Sequence, residues 1–63
     1  MAKKPQLTTK DLSLLNDLLV YEQSAVIKNR QYASTLTDPD LKNLCNQLIS
    51  NHTSNFNALY NLL

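Results

Sequence analysis

The sequence predicts an all-α fold: an antiparallel two-helix hairpin that pairs with a second copy into a four-helix bundle. Three observations carry this expectation. Glycine is absent from the 63 residues, and there is no Asn-Gly or Asp-Gly pair, so β-hairpins lack the residues their tight turns favour. Apolar residues recur at steps of three, four and seven along two stretches divided at Pro39. In both stretches the apolar arc is broader than one facing helix covers.

The first helix should begin near Leu7-Thr8-Thr9-Lys10-Asp11-Leu12. Thr8 is placed to accept from the backbone N–H of Asp11, and Asp11 sits where the positive end of the helix dipole favours a carboxylate. Leu7 and Leu12 take the flanking positions of a hydrophobic staple. Leu12, Leu15, Leu19, Val26 and Ala33 then mark one face, and the helix should run from about Thr9 to about Thr35, ~40 Å at 1.5 Å per residue. Residues 1–7 read as a flexible polar tail.

Asp38 is the expected cap of the second helix, with Pro39 in the first position, where a missing N–H costs nothing, and Asp40 in the first turn. The loop is then about residues 36–38 and the helix about 39–62, a connection short enough to force antiparallel neighbours. Leu41, Leu44, Leu48, Asn55, Leu59 and Leu62 form the expected main seam, flanked by Cys45, Ile49, Phe56 and Leu63. A turn centred near residue 37 makes facing positions sum to about 74. Ala33 then meets Leu41, Val26 meets Leu48, and Leu15 meets Leu59. The same register sets Glu22 opposite His52, the only glutamate and the only histidine of the chain.

A lone hairpin leaves apolar surface over. The first helix carries a second row, Leu14, Leu18, Tyr21, Ala25, Tyr32 and Leu36; the second has Cys45, Ile49, Phe56, Tyr60 and Leu63 beside its main seam. Chains of this size usually need a metal, a disulfide or a partner to stay folded. With the single cysteine Cys45, no internal disulfide is possible. A homodimer is the simplest remaining solution. On this reading Leu48→Ala, in mid-seam, costs about 2 to 5 kcal/mol and dissociates or unfolds the dimer.

Composition narrows the function classes. Hydrophobic residues make up 43% and charged residues 17%, a globular balance, and the absence of glycine excludes P-loops, dinucleotide fingerprints and nucleophile elbows. The net charge is only +1, with no basic cluster beyond Lys3-Lys4, so no nucleic-acid partner is expected. No apolar run approaches a membrane span and none follows the N-terminal lysines as a signal peptide would require, so synthesis and retention in the cytoplasm are expected, and no membrane. Cys45 reads as a small packed residue.

Glu22 and His52 are the one pair with chemistry suited to metal or acid–base work. The carboxylate sites of ferritin-like bundles need a Glu from each of two helices and a Glu-x-x-His from each of the others. Here the second helix reads His52-Thr53-Ser54-Asn55, so the bridging ligands are missing. The better reading is a polar layer that specifies register, with no metal, cofactor or catalytic residue assigned. Tyr21, Tyr32 and Tyr60 fall on or beside apolar rows and read as core or interface packing. The six asparagines of the second helix read mostly as its solvated face, and Lys28-Asn29-Arg30 as helix surface.

Leu7-Thr8-Thr9-Lys10-Asp11, the leucine pairs Leu14-Leu15 and Leu18-Leu19 leading to Glu22, the turn Thr37-Asp38-Pro39-Asp40-Leu41-Lys42 and the close Asn57-Ala58-Leu59-Tyr60-Asn61-Leu62-Leu63 together resemble the small spore coat proteins of endospore-forming bacteria. The likeness is to the coat F family, within the ferritin-like group of helical bundles, and spans about residues 7 to 63. It implies a non-enzymatic structural protein, made in the mother-cell cytoplasm and deposited on the spore coat with other coat proteins as partners. Two further classes stay open: a ferritin-like metal-binding bundle using Glu22 and His52, and a small helical-hairpin sporulation regulator that binds a protein. The regulator's Ser-Gln-Glu-Leu-Asp motif has no match between Leu41 and Leu63.

Overall fold

A computed structural model describes residues 6–63; the tail expected at 1–7 lies outside the described residues except for Gln6 and Leu7. Two helices, α1 (Thr9–Thr35) and α2 (Pro39–Tyr60), pack against each other, and no strand forms among the described residues. Every described backbone φ is negative, as a chain without glycine requires.

Local chemistry accounts for the helix ends. Thr8 Oγ1 accepts from the N–H of Asp11 at 3.1 Å and Asp11 Oδ2 accepts from the N–H of Thr8 at 3.1 Å, a reciprocal capping box built with aspartate. At the other end the Leu36 N–H donates to the Tyr32 carbonyl at 2.9 Å. Ser34 Oγ and Thr35 Oγ1 both donate to the Gln31 carbonyl, at 2.8 and 2.7 Å. These hydroxyls compete for a helical acceptor in the last turn, just before the chain leaves the helix. Leu36 and Asp38 are extended, and Asp38 has the backbone conformation favoured for the residue before a proline. Asp38 Oδ1 then accepts from the Leu41 N–H at 2.9 Å and opens α2 with Pro39 at its start. α2 ends at Tyr60 rather than 62, because the N–H groups of Leu62 and Leu63 turn to the carbonyls of Leu59 and Tyr60.

The inward positions alternate steps of four and three. On α1 they are 15, 19, 22, 26, 29 and 33, continued by 36 at its C-cap; on α2 they are 45, 49, 52, 56 and 59, all buried or half-buried. This is the 3.5-residue period of coiled-coil packing. Leu15 and Cys45 are the buried hydrophobic residues, 6% and 8% exposed, and Glu22 is as deeply placed at 8%. Asn29, half-buried on this seam, satisfies its side chain by donating from Nδ2 to the Ala25 carbonyl at 2.8 Å.

The α2 seam differs from the expected one. Cys45, Ile49 and Phe56, assigned to the flank, face α1 together with His52; Leu41, Leu44, Asn55 and Leu62, assigned to the seam, are exposed. The two rows are about 100° apart on the helix and have the same period, so periodicity ranks them equally. Turning His52 inward to meet Glu22 carries Cys45, Ile49 and Phe56 with it at steps of seven, three and four. On α1 the expected Leu12 is 44% exposed, since it lies level with Leu62, past the end of α2.

The hairpin is a single layer of helices, its thinnest dimension spanning 10 Å between Cα atoms. Stable domains stack at least two layers around a core. Among the described residues only the strip where α1 meets α2 is covered, and both broad faces are open.

Candidate functional site

In an antiparallel pair, positions one residue before the seam on either helix fall on the same broad face, and positions one residue after it fall on the other. The lining of the surface depressions agrees. Gln23, Arg30 and Thr53, each following a seam position, share one depression with Val26 and Phe56. Tyr21, Lys28 and Tyr32, each on the preceding side, share another with Ala25 and His52.

The two faces differ in chemistry. The preceding face carries Leu14, Leu18, Tyr21, Ala25, Lys28 and Tyr32 from α1, and Leu41, Leu44, Leu48, Asn51, Asn55 and Ala58 from α2, with Leu62 just past its end. The following face is mostly amide and hydroxyl, with Asn16, Gln23 and Arg30 from α1 and Asn46, Ser50, Thr53 and Asn57 from α2, but it also bears Val20, Ile27 and Tyr60, each about half exposed. Seven large side chains of the apolar face remain between 39% and 63% exposed: Leu14, Leu18, Tyr21, Tyr32, Leu41, Leu44 and Leu62. With half of each exposed, they present roughly 700 Å² of mostly apolar surface on one side, above the ~300 to 600 Å² of the largest patch on an ordinary monomer.

Beneath the middle of this face lies the polar layer. His52 Nδ1 and Glu22 Oε2 are 2.5 Å apart, with the side chains 20% and 11% exposed. An ionised carboxylate can only accept, so Nδ1 carries the proton and donates it, whether the ring is neutral or cationic. That bond sets the ring's tautomer and orientation. Tyr21 packs edge-on against the imidazole, ring centroids 6.3 Å apart at 77°, and closes part of the layer from the apolar side. An open depression of about 300 Å³ continues from His52 past Ala25 to Lys28 and Tyr32. Among the described residues no group of three or more His, Cys, Asp or Glu side chains is placed to hold a metal ion. Cys45, the free thiol, is buried in the seam.

No family model matches the chain. Nor is any curated protein or solved structure significantly similar to it. Its functional reading therefore rests on its own residues.

Those residues were unequally visible in the sequence. The register brings Glu22 and His52 together as the residue sum predicts. The tyrosines, read as core or interface packing, are not core of the hairpin: Tyr21, Tyr32 and Tyr60 are all more than half exposed. Phe56 and Tyr60 stack at 6.2 Å on one side of α2. The five asparagines of α2 and Asn61 at its C-cap are all exposed. The row of Leu14, Leu18, Tyr21, Ala25 and Tyr32 is legible on α1, but that Leu41 and Leu44 of α2 share its face follows only once the α2 seam row is known. Counting back one residue from Glu22 and His52 would have revealed it. No described helix is long and apolar enough to cross a membrane.

Proposed function

We propose that this chain is a non-enzymatic structural protein that works by self-association, two hairpins packing into a four-helix bundle. The observation that carries this reading is the gathering of exposed Leu14, Leu18, Tyr21, Tyr32, Leu41 and Leu44 on one side of a layer only one helix thick. Such a layer buries too little to be a finished domain, and a second identical layer supplies the missing wall. The Glu22–His52 pair then acts as a register device within each hairpin. Its proton is held in a side-chain hydrogen bond, and its role is to set which rows face inward and which outward.

The likeness of the helix starts, turn and C-terminal segment to small spore coat proteins suggests where such a unit is used: deposited on the spore coat, beside other coat proteins, after synthesis in the mother cell. Two experiments address the two parts. Sedimentation equilibrium at micromolar concentration should give twice the chain mass, and a folded monomer would overturn self-association. A tagged copy expressed during sporulation in an endospore-forming host should collect at the forespore surface and co-extract with the coat. A signal that stays diffuse in the mother cell would remove the coat assignment and leave the bundle intact.

A further inference from the structure

The apolar face is complementary to itself when a second copy runs in the opposite direction. Along α1, Leu14 meets Tyr32 of the second copy, Tyr21 meets Ala25 and Leu18 meets Lys28, and all three pairings centre on Gln23. Along α2, Leu41 meets Leu62, Leu44 meets Ala58 and Leu48 meets Asn55, and these centre on Asn51 to within a residue. Gln23 and Asn51 lie at the same height in the hairpin, since Glu22 bonds His52 beside them. One two-fold axis perpendicular to the helices therefore serves both rows at once.

We infer that a second copy of the chain docks on this face head to tail, with the two interhelical turns at opposite ends of the bundle and Asn51 beside its symmetry mate on the axis. The inference rests on the self-association proposed above and specifies its face and direction. Large side chains fall against small ones, Tyr21 on Ala25 and Leu44 on Ala58, as interdigitated packing requires. Lys28 lays its aliphatic stem over Leu18 and brings its ammonium to the edge of the face, level with Asp17 of the second copy, an opposite charge. Asn51 lies on the axis and meets its own symmetry mate, and a buried asparagine pair is a means of specifying register; Asn55, one turn away, lies against Leu48. The alternative with both turns at one end sets Lys28 against Leu44 and Leu48 and Tyr21 against Asn51 and Asn55. It loses the charge match and the large-to-small fit. The roughly 700 Å² on offer from each copy is close to the ~800 Å² per partner of a standard stable interface.

The parent and three variants, Asn51→Cys, Leu44→Glu and Thr53→Glu, test this, each followed by sedimentation and by oxidation with denaturing electrophoresis. Asn51 is exposed in the hairpin, so its replacement leaves the seam intact. The parent should be dimeric and, with Cys45 buried, should not crosslink. Asn51→Cys should convert mostly to a covalent dimer. Leu44→Glu, which places a charge on the apolar face, should raise the dimer dissociation constant on the order of 100-fold, while Thr53→Glu on the opposite face should leave it unchanged. A dimeric parent whose Asn51→Cys form does not crosslink overturns the head-to-tail axis. One that Thr53→Glu dissociates and Leu44→Glu does not overturns the face. A monomeric parent overturns the self-association on which both depend.

Discussion

His52 places its Nδ1 2.5 Å from Oε2 of Glu22, a residue thirty positions earlier in the chain, and the bond joins the midpoints of the two helices. Both side chains are mostly withdrawn from water. A carboxylate left in that position without its donor loses solvation that nothing replaces. Slipping either helix by one residue would break the bond, so the pair discriminates against neighbouring registers even where leucines would pack equally well.

The pair should therefore behave asymmetrically under substitution. His52→Ala should lower unfolding free energy by about 1 to 3 kcal/mol, because Glu22 stays buried without its donor. Replacing both residues by leucine should restore parental stability or exceed it, as apolar pairs often do in place of buried ionic ones. Urea melts of the parent, His52→Ala and the double variant decide this. A double variant less stable than His52→Ala would show that the pair contributes net stability and is not chiefly a register device.

Leu15 and Leu41 should separate clearly. Leu15 is 6% exposed and Leu41 48%. Leu15→Ala should cost about 2 to 5 kcal/mol through loss of packing and the cavity left behind. Leu41→Ala should cost less than about 1 kcal/mol in the hairpin itself, and more only as the apolar face becomes covered. Leu48, half-buried on the apolar side of the seam, should fall between them, with its loss growing at concentrations where copies associate. Melts at several protein concentrations measure both contributions.

The midpoint of thermal unfolding should rise with protein concentration. When folding is coupled to pairing, mass action favours the folded dimer as the chain becomes more abundant. A midpoint constant over a hundredfold range of concentration would mean that the hairpin folds alone.

Removing the cap at either helix start should be costly on its own. Thr8→Ala and Asp38→Ala each free a backbone N–H of the first turn, those of Asp11 and Leu41, and each should lower stability by about 1 kcal/mol. Asp38→Asn, which keeps an acceptor oxygen, should lose only part of that. Circular dichroism during denaturation reads both.

Cys45 should report on opening of the seam. At 8% exposure its thiol should react with a disulfide reagent far more slowly than a free cysteine, and Leu15→Ala should accelerate the reaction in proportion to the stability lost. A thiol that reacts at once in the intact protein would place Cys45 outside the seam.

What the sequence by itself determined is what short-range chemistry decides. Thr8 and Asp11 cap each other within one turn, Asp38 and Pro39 stop one helix and start the next, and a three-residue connection leaves the helices little choice but to lie side by side. The meeting of Glu22 with His52 was legible too, because a short turn converts residue number into height along the hairpin. Only the tertiary structure decided which of two adjacent α2 rows turns inward. Leu41-Leu44-Leu48 and Cys45-Ile49-Phe56 share one period, so no local rule separates them. The choice fell to a contact thirty residues distant in sequence, and by rotating α2 through about 100° it sent the leucines to the open face with Tyr21 and Tyr32.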